Sequence, residues 1–192
     1  MTTMKRRKLI KVAFYSTSGI ALSTLLPGCK GDVLEIDMDN YSPKLFAEID
    51  FEFLQSYANI LLPSSNTPGA KSTGLVQIVD RIEAVILDDD KKEILSKNAA
   101  MLRTHFSKKA GDTAFSELED EQQVALVSEI DTDLMNGDTD ASNAYKYVKG
   151  KLVHYYLNTE EVGTQLLNYL PVPGEYEACI SLEEEGGKAW TI

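Results

Sequence analysis

An all-α domain is what this sequence predicts: a small bundle of about five helices followed by a long irregular C-terminal arm. Apolar residues recur at spacings of three and four from about residue 45 to residue 156. Breaker clusters, "SSNTPGAKSTG" at 64–74 and "NGDTD" at 136–140, cut that pattern into helix-length pieces. Beyond residue 165 the pattern stops, and prolines and glycines accumulate instead.

The pieces read in order as follows. "SPKLFAEIDFEFLQSYANILLP" (42–63) places Leu45, Phe46, Ile49, Phe53, Leu54, Tyr57, Ala58, Leu61 and Leu62 at helical spacing. Ser42 is a candidate N-cap, Pro43 suits a first turn and Pro63 ends the helix. After the 64–74 loop, "LVQIVDRIEAVILDDD" aligns Leu75, Ile78, Val79, Ile82, Val85 and Ile86. Its β-branched content makes a strand the competing reading, but the sustained period favours a helix. "KKEILSKNAAMLRTHFSKKAG" gives a third helix, with Gly111 as a C-terminal cap. "FSELEDEQQVALVSEID" opens with acids that suit a helix N-terminus, and Leu118, Val124, Leu126, Val127 and Ile130 form its apolar side. "ASNAYKYVKGKLVHYYLN" is the fifth helix, with Tyr145, Val148, Leu152, Tyr155 and Tyr156 along one side. After "TEEVGTQ" the chain reads as irregular to its end.

Ahead of this domain the sequence reads as an address. Lys5, Arg6, Arg7, Lys8 and Lys11 precede an apolar run at 12–26. A membrane-spanning helix needs roughly 20 mainly apolar residues, so a run this short after a basic head reads as an export signal. The pair Arg6-Arg7 resembles a twin-arginine signal. The run ends in "LLPGC", which resembles a bacterial lipobox with Cys29 as the lipidated residue. An uncleaved anchor and a plain secretion signal with an inert Cys29 are the alternatives. The organisation expected is a signal peptide at 1–28, an acidic tether at 29–42 and a helical domain at 43–192. The mature protein would lie on the outer, periplasmic face of a bacterial membrane, held by lipid.

Removing residues 1–28 takes away five of the 19 basic residues and none of the 30 acidic ones, so the net charge moves from −11 to −16. Such a field repels nucleic acid and anionic lipid, and no nucleic-acid partner is expected. With Cys29 lipidated, Cys179 has no partner in the chain.

No arrangement of residues announces catalysis. There is no glycine-rich phosphate fingerprint and no GxSxG elbow. His105 and His154 stand in no ligand spacing, and Asp88-Asp89-Asp90 reads as a charge run at a helix end. The stretch from Asp131 to Asp140 has closely spaced oxygen ligands, but Ser142 stands where a calcium loop needs its glutamate. No catalytic residue, metal site or cofactor is expected in this chain.

Three pieces in combination carry a resemblance: the twin-arginine start, "YANILLPSSNTPGAKSTGLVQIVD", and "YLNTEEVGTQLLNYLPVPGEYEACISL…GGKAW". Over about residues 45–190 the chain resembles the gluconate 2-dehydrogenase subunit 3 family. The resemblance implies a non-catalytic small subunit serving a large FAD-containing dehydrogenase of the glucose–methanol–choline class. That partner would oxidise sugars, sugar acids or polyols, with a cytochrome c as a common electron acceptor. The small subunit would serve maturation, carry the partner through the twin-arginine route and, here, anchor it. By the same resemblance the partner interface would comprise Pro63, Pro68 and Gly69 in one loop, and Tyr169, Pro171, Pro173, Gly174, Tyr176 and Trp190 in the arm. The aromatic residues among them could equally close the domain's own core. Cys179 is expected to form a disulfide with the large subunit, the alternative being a buried packing thiol. A stand-alone exported lipoprotein that binds without an enzyme partner is the second reading of the chain.

Overall fold

The computed structural model describes residues 40–169, 179–184 and 186–190. Among them are six α-helices: α1 Glu48–Leu61, α2 Leu75–Ile86, α3 Asp89–Lys109, α4 Asp120–Met135, α5 Asp140–Leu157 and α6 Glu160–Gln165. A 3-10 turn, Phe115–Glu117, precedes α4. No strand occurs among the described residues. The one extended pairing is an isolated parallel bridge between Asn168 and Trp190. The all-α expectation holds.

Helix α5 is the hub, packing on α2, α3 and α4, while α1 closes the other side against α2, α3, α4 and the 3-10 turn. The core between them is aromatic. Phe53 meets Phe106 and Phe115 edge to face at 5.3 and 5.8 Å, and Tyr57 meets Phe106 and Tyr145 at 5.5 and 6.1 Å. Each such ring removes a large apolar area from water, stabilising the fold by about 1.5–3 kcal/mol apiece. Leu54, Leu75, Leu95, Leu102, Ile130 and Leu152 complete the core.

The helix ends follow local chemistry. Asp88 caps α3, its side chain accepting the Lys91 amide at 2.9 Å, so the aspartate run opens a helix and α2 stops before it. Gly111, at φ +73°, ends α3 in a Schellman motif. The Asp112 amide reaches the Ser107 carbonyl at 2.9 Å, and the Gly111 amide the Lys108 carbonyl at 3.3 Å. Glu119 and Gln122 form a reciprocal capping box on α4, and Thr139 caps α5.

Three expectations fail, for identifiable reasons. Helix α1 starts at Glu48, and Ser42 and Pro43 lie outside it. The Asp80 carboxylate of α2 takes the amides of Lys44, Leu45 and Phe46, which holds that segment in a bend. The Tyr41 hydroxyl also donates to Asp80 and its ring stacks on Phe51, so the body begins before residue 43. Second, Ile49 is exposed while Asp50 is buried, because Asp50 pairs with Arg103 of α3 at 2.6 Å. Val124 is likewise exposed, while neighbouring Gln123 is buried and donates to the Phe115 and Leu118 carbonyls. Third, α2 is rotated from its expected face: Ile82, Val85 and Ile86 face out, and Asp80 and Glu83 face in. The segment "TEEVGTQ" adds a sixth short helix, α6, with Val162 fully buried.

Candidate partner-docking surfaces

The loop at 62–74 is tied to itself. The Ala70 amide donates to the Leu62 carbonyl at 2.8 Å, and Thr73 Oγ1 donates to the Gly69 and Ala70 carbonyls. The Ser72 hydroxyl both donates to the Gly69 carbonyl and accepts the Gly69 amide, each at 3.0 Å. Gly69 lies directly against Pro63 and Ser64. A Cβ there would sit 2.8 Å from the Pro63 carbonyl carbon, and closer still to the Ser64 amide and hydroxyl. Gly69 is buried, Pro68 half-buried and Pro63 exposed. The glycine therefore closes the loop, and of Pro63, Pro68 and Gly69 only Pro63 is exposed. From outside, the Tyr156 hydroxyl of α5 donates to the Pro68 carbonyl at 2.6 Å. The loop reaches any partner as a pre-formed shape, which reduces the entropy lost on binding.

The arm folds back on its own start. The Asn168 amide donates to the Ala189 carbonyl at 2.8 Å, and its side-chain amide to the Lys188 carbonyl at 3.1 Å. Lys188 Nζ returns a bond to the Gln165 carbonyl at 2.9 Å. Within this closure Tyr169 is 56% exposed and Trp190 45%. Neither fills the domain's own core. Ile180 and Leu182 are exposed beside the free, exposed Cys179. Sequence reasoning overlooked Ile180 and Leu182, since nothing in their spacing distinguishes an exposed arm from a packed one. Arg6, Arg7, Cys29, Pro171, Pro173, Gly174 and Tyr176 lie outside the described residues.

The polar groups of the body serve packing. The Glu83 carboxylate, fully buried, accepts Lys151 Nζ at 2.6 Å and the Tyr155 hydroxyl at 2.8 Å, joining α2 to α5. Burial and the adjoining Glu83 carboxylate raise the Tyr155 pKa above the ordinary phenol value. Burial and Asp80 do the same to Tyr41. Both phenols are thus held as donors rather than as bases. Asp131 accepts from Lys149 and Tyr145, which lower its pKa, and Asp133 pairs with Lys109. Lys146 takes the Gly137 carbonyl. Three of the oxygen groups that suggested a calcium loop, Asp131, Asp133 and the Gly137 carbonyl, are thus engaged by the chain's own cations. Among the described residues no group of three or more His, Cys, Asp or Glu is placed to hold a metal. Two open clefts of about 380 and 350 Å³ flank α1 and share Glu52 and Ser116 in their walls. No helix among the described residues is long and apolar enough to cross a membrane.

Compared with known families, residues 48–174 match the model of gluconate 2-dehydrogenase subunit 3. The chain belongs to that family. The match takes in the whole 62–74 loop and the beginning of the arm, and it ends before Tyr176, Cys179 and Trp190. Neither curated proteins nor solved structures give a significant match. Membership of the subunit 3 family makes the chain a subunit of an oxidoreductase complex.

Proposed function

We propose that this chain is the non-catalytic small subunit of a flavin-dependent dehydrogenase acting on sugars, sugar acids or polyols. It serves the maturation, twin-arginine export and membrane anchoring of an FAD-containing large subunit, which passes electrons on to an acceptor such as a cytochrome c. The observation that carries the reading is the arm. A chain of the subunit 3 family leaves Tyr169, Ile180, Leu182 and Trp190 uncovered on a segment that is nonetheless pinned to Gln165 and Asn168. Large amphipathic side chains held in place but left in water are what an interface core needs. In this reading Pro63, Tyr169 and Trp190 contact the flavoprotein, Arg6 and Arg7 address the pair for export, and Cys29 carries the lipid. The exposed Cys179 forms a disulfide with the large subunit once the pair is outside.

Fractionation of cells expressing Arg6→Lys with Arg7→Lys tests it. Both this chain and the flavoprotein are expected to stay in the cytoplasm, and Cys29→Ala is expected to release the pair from the membrane. Normal delivery of the flavoprotein in the arginine double variant overturns the export role. A non-reducing gel of the oxidised, alkylated pair tests the disulfide: one band at the summed mass is expected, absent for Cys179→Ser.

A further inference from the structure

We infer that the larger cleft beside α1 is a binding site for a neutral polyhydroxylated small molecule, a sugar or polyol, held by the carboxamides of Gln55, Asn59 and Gln77. The site goes beyond the small-subunit reading and does not depend on it, since it lies wholly on this chain.

The cleft, of about 380 Å³, opens where α1, the 62–74 loop, the start of α2 and the 3-10 turn meet. Helix α1 contributes Gln55, Ser56 and Asn59 to its wall, α2 contributes Gln77, and the turn contributes Ser116. None of these side chains has a hydrogen-bond partner among the described residues. The cleft is thus the exception to the paired polar groups of the body. Gln77 marks the exception most clearly. It is only 8% exposed, as is Gln123. Gln123 donates to the Phe115 and Leu118 carbonyls, whereas Gln77 has no partner in the protein. Nor is its amide sealed from solvent, as the Tyr57 hydroxyl and Glu83 Oε2 are, so it opens onto the cleft it lines.

A buried carboxamide without a partner is unfavourable, and nearly all buried polar groups find one. Gln77 is also held in place. Asp80, one turn on, grips the Tyr41 hydroxyl and the amides of Lys44, Leu45 and Phe46, which fixes the rotation of α2. The Ala70 amide is tied to the Leu62 carbonyl, which fixes the loop side of the wall. The donors and acceptors are therefore in position before a ligand arrives, which lowers the entropy lost on binding.

The chemistry of the wall selects the ligand. A carboxamide carries two donors and an acceptor oxygen, and a hydroxyl both donates and accepts. Vicinal hydroxyls offer the same mixture in return and can replace the waters of the cleft bond for bond. Other classes fit less well. Glu52 and Lys71 bring one charge of each sign to the wall. A divalent cation would find a single carboxylate where it needs several oxygens. A phosphate or carboxylate would find one lysine, no arginine fork, and the opposing negative charge of the chain. An apolar ligand, or the apolar side chains of a peptide, would find only Ala70 and Val76 and would strand the Gln77 amide. The volume lies at the small end of the roughly 300–1,000 Å³ of ligand pockets, which suits one monosaccharide-sized molecule.

The test uses the full chain, isotope-labelled and held in a sugar-free detergent, titrated with sorbitol and with glucose. The side-chain amide resonances of Gln55, Asn59 and Gln77 are expected to shift saturably in the millimolar range with at least one of the two. 1,6-Hexanediol, which lacks vicinal hydroxyls, is expected to leave them in place. Gln77→Leu is expected to weaken binding at least about tenfold, with a melting temperature no lower than that of wild type, because the amide it removes has no partner in the protein. Gln55→Leu with Asn59→Leu, on the more open wall, is expected to give the same loss and decides the matter if Gln77→Leu does not fold. No saturable shift with either sugar up to about 50 mM, or wild-type binding in the folded variants, overturns the inference. Equal shifts with hexanediol overturn it as well. If gluconate binds and sorbitol does not, the cleft is an anion site and the inference is wrong. If the resonances move only when the flavoprotein is added, the cleft is a protein contact and the inference is wrong, with the small-subunit reading left standing.

Discussion

Lys151 Nζ lies 2.6 Å from Glu83 Oε1, and the carboxylate it meets is wholly buried while the ammonium keeps partial contact with water. The second carboxylate oxygen, Oε2, is buried without a hydrogen-bond partner. The pair joins α2 to α5, and the Tyr155 hydroxyl completes it on the same oxygen. Removing one partner of a buried pair costs more than the pair contributes, because a charge is then stranded out of water.

Lys151→Met is therefore expected to destabilise the domain by about 2 kcal/mol, below the roughly 3–5 kcal/mol of a fully buried pair because water still reaches Lys151. Glu83→Gln with Lys151→Met is expected to recover part of that loss, since no charge is then stranded. Urea unfolding of the two single variants and the double variant measures the coupling. Additive losses would show that the ion pair contributes nothing beyond its separate side chains.

Asp80 carries a different load. Its two oxygens satisfy three consecutive amides and one phenol, and they take the place of the first helical turn that the sequence predicts from Ser42. Asp80→Ala leaves those donors unanswered, at a cost of about 3 kcal/mol. Limited proteolysis is expected to open the segment at 41–46 before any other part of the body. Cleavage elsewhere first would assign the loss to the core instead.

The sequence made the helices legible because their cores repeat at helical spacing, as Tyr145, Val148, Leu152 and Tyr156 of α5 do. It misplaced three aliphatic residues that adjoin a buried polar one. Ile49 beside Asp50, Ile82 beside Glu83, and Val124 beside Gln123 all read as inward aliphatics. In each case the polar neighbour is inside, because its partner comes from a distant element or turn: Arg103, Lys151, or the Phe115 carbonyl. Periodicity scores side chains one at a time and cannot see a pairing that spans 53 or 68 positions. The arm posed the converse difficulty. Its aromatic residues suited a core or an interface equally, and only the closure from Asn168 to Ala189 places Tyr169 and Trp190 in water.

Gly69 gives a local test of the loop. Its buried position against Pro63 and Ser64 leaves no room for a methyl group. Gly69→Ala is expected to cost about 1–3 kcal/mol, as overpacking of a tight site does, and to break the bond from the Tyr156 hydroxyl to the Pro68 carbonyl. Tyr156→Phe removes that bond without the clash and is expected to cost about 1 kcal/mol. Thermal melts compare the two. An equal loss in both would mean that the loop relaxes freely around the added methyl.

His105 makes stability depend on pH. It sits on α3, its Nε2 is buried without a partner, and burial lowers its pKa below the ordinary 6.5. Lys109 and Lys108 act in the same direction, while Asp133 opposes them. The folded state thus holds the imidazole neutral at a pH where the unfolded chain already takes up a proton. Well above pH 6.5 both states are neutral and the residue adds no pH dependence. As the pH falls through 6.5 the unfolded chain binds the proton first, so stability declines until the folded imidazole also titrates. His105→Gln removes the titrating group, so its unfolding free energy is expected to lose the part of the slope between pH 7 and pH 5.5 that wild type shows. Urea midpoints at half-unit steps across that window measure both slopes. Parallel slopes would mean that water reaches the imidazole in the folded chain.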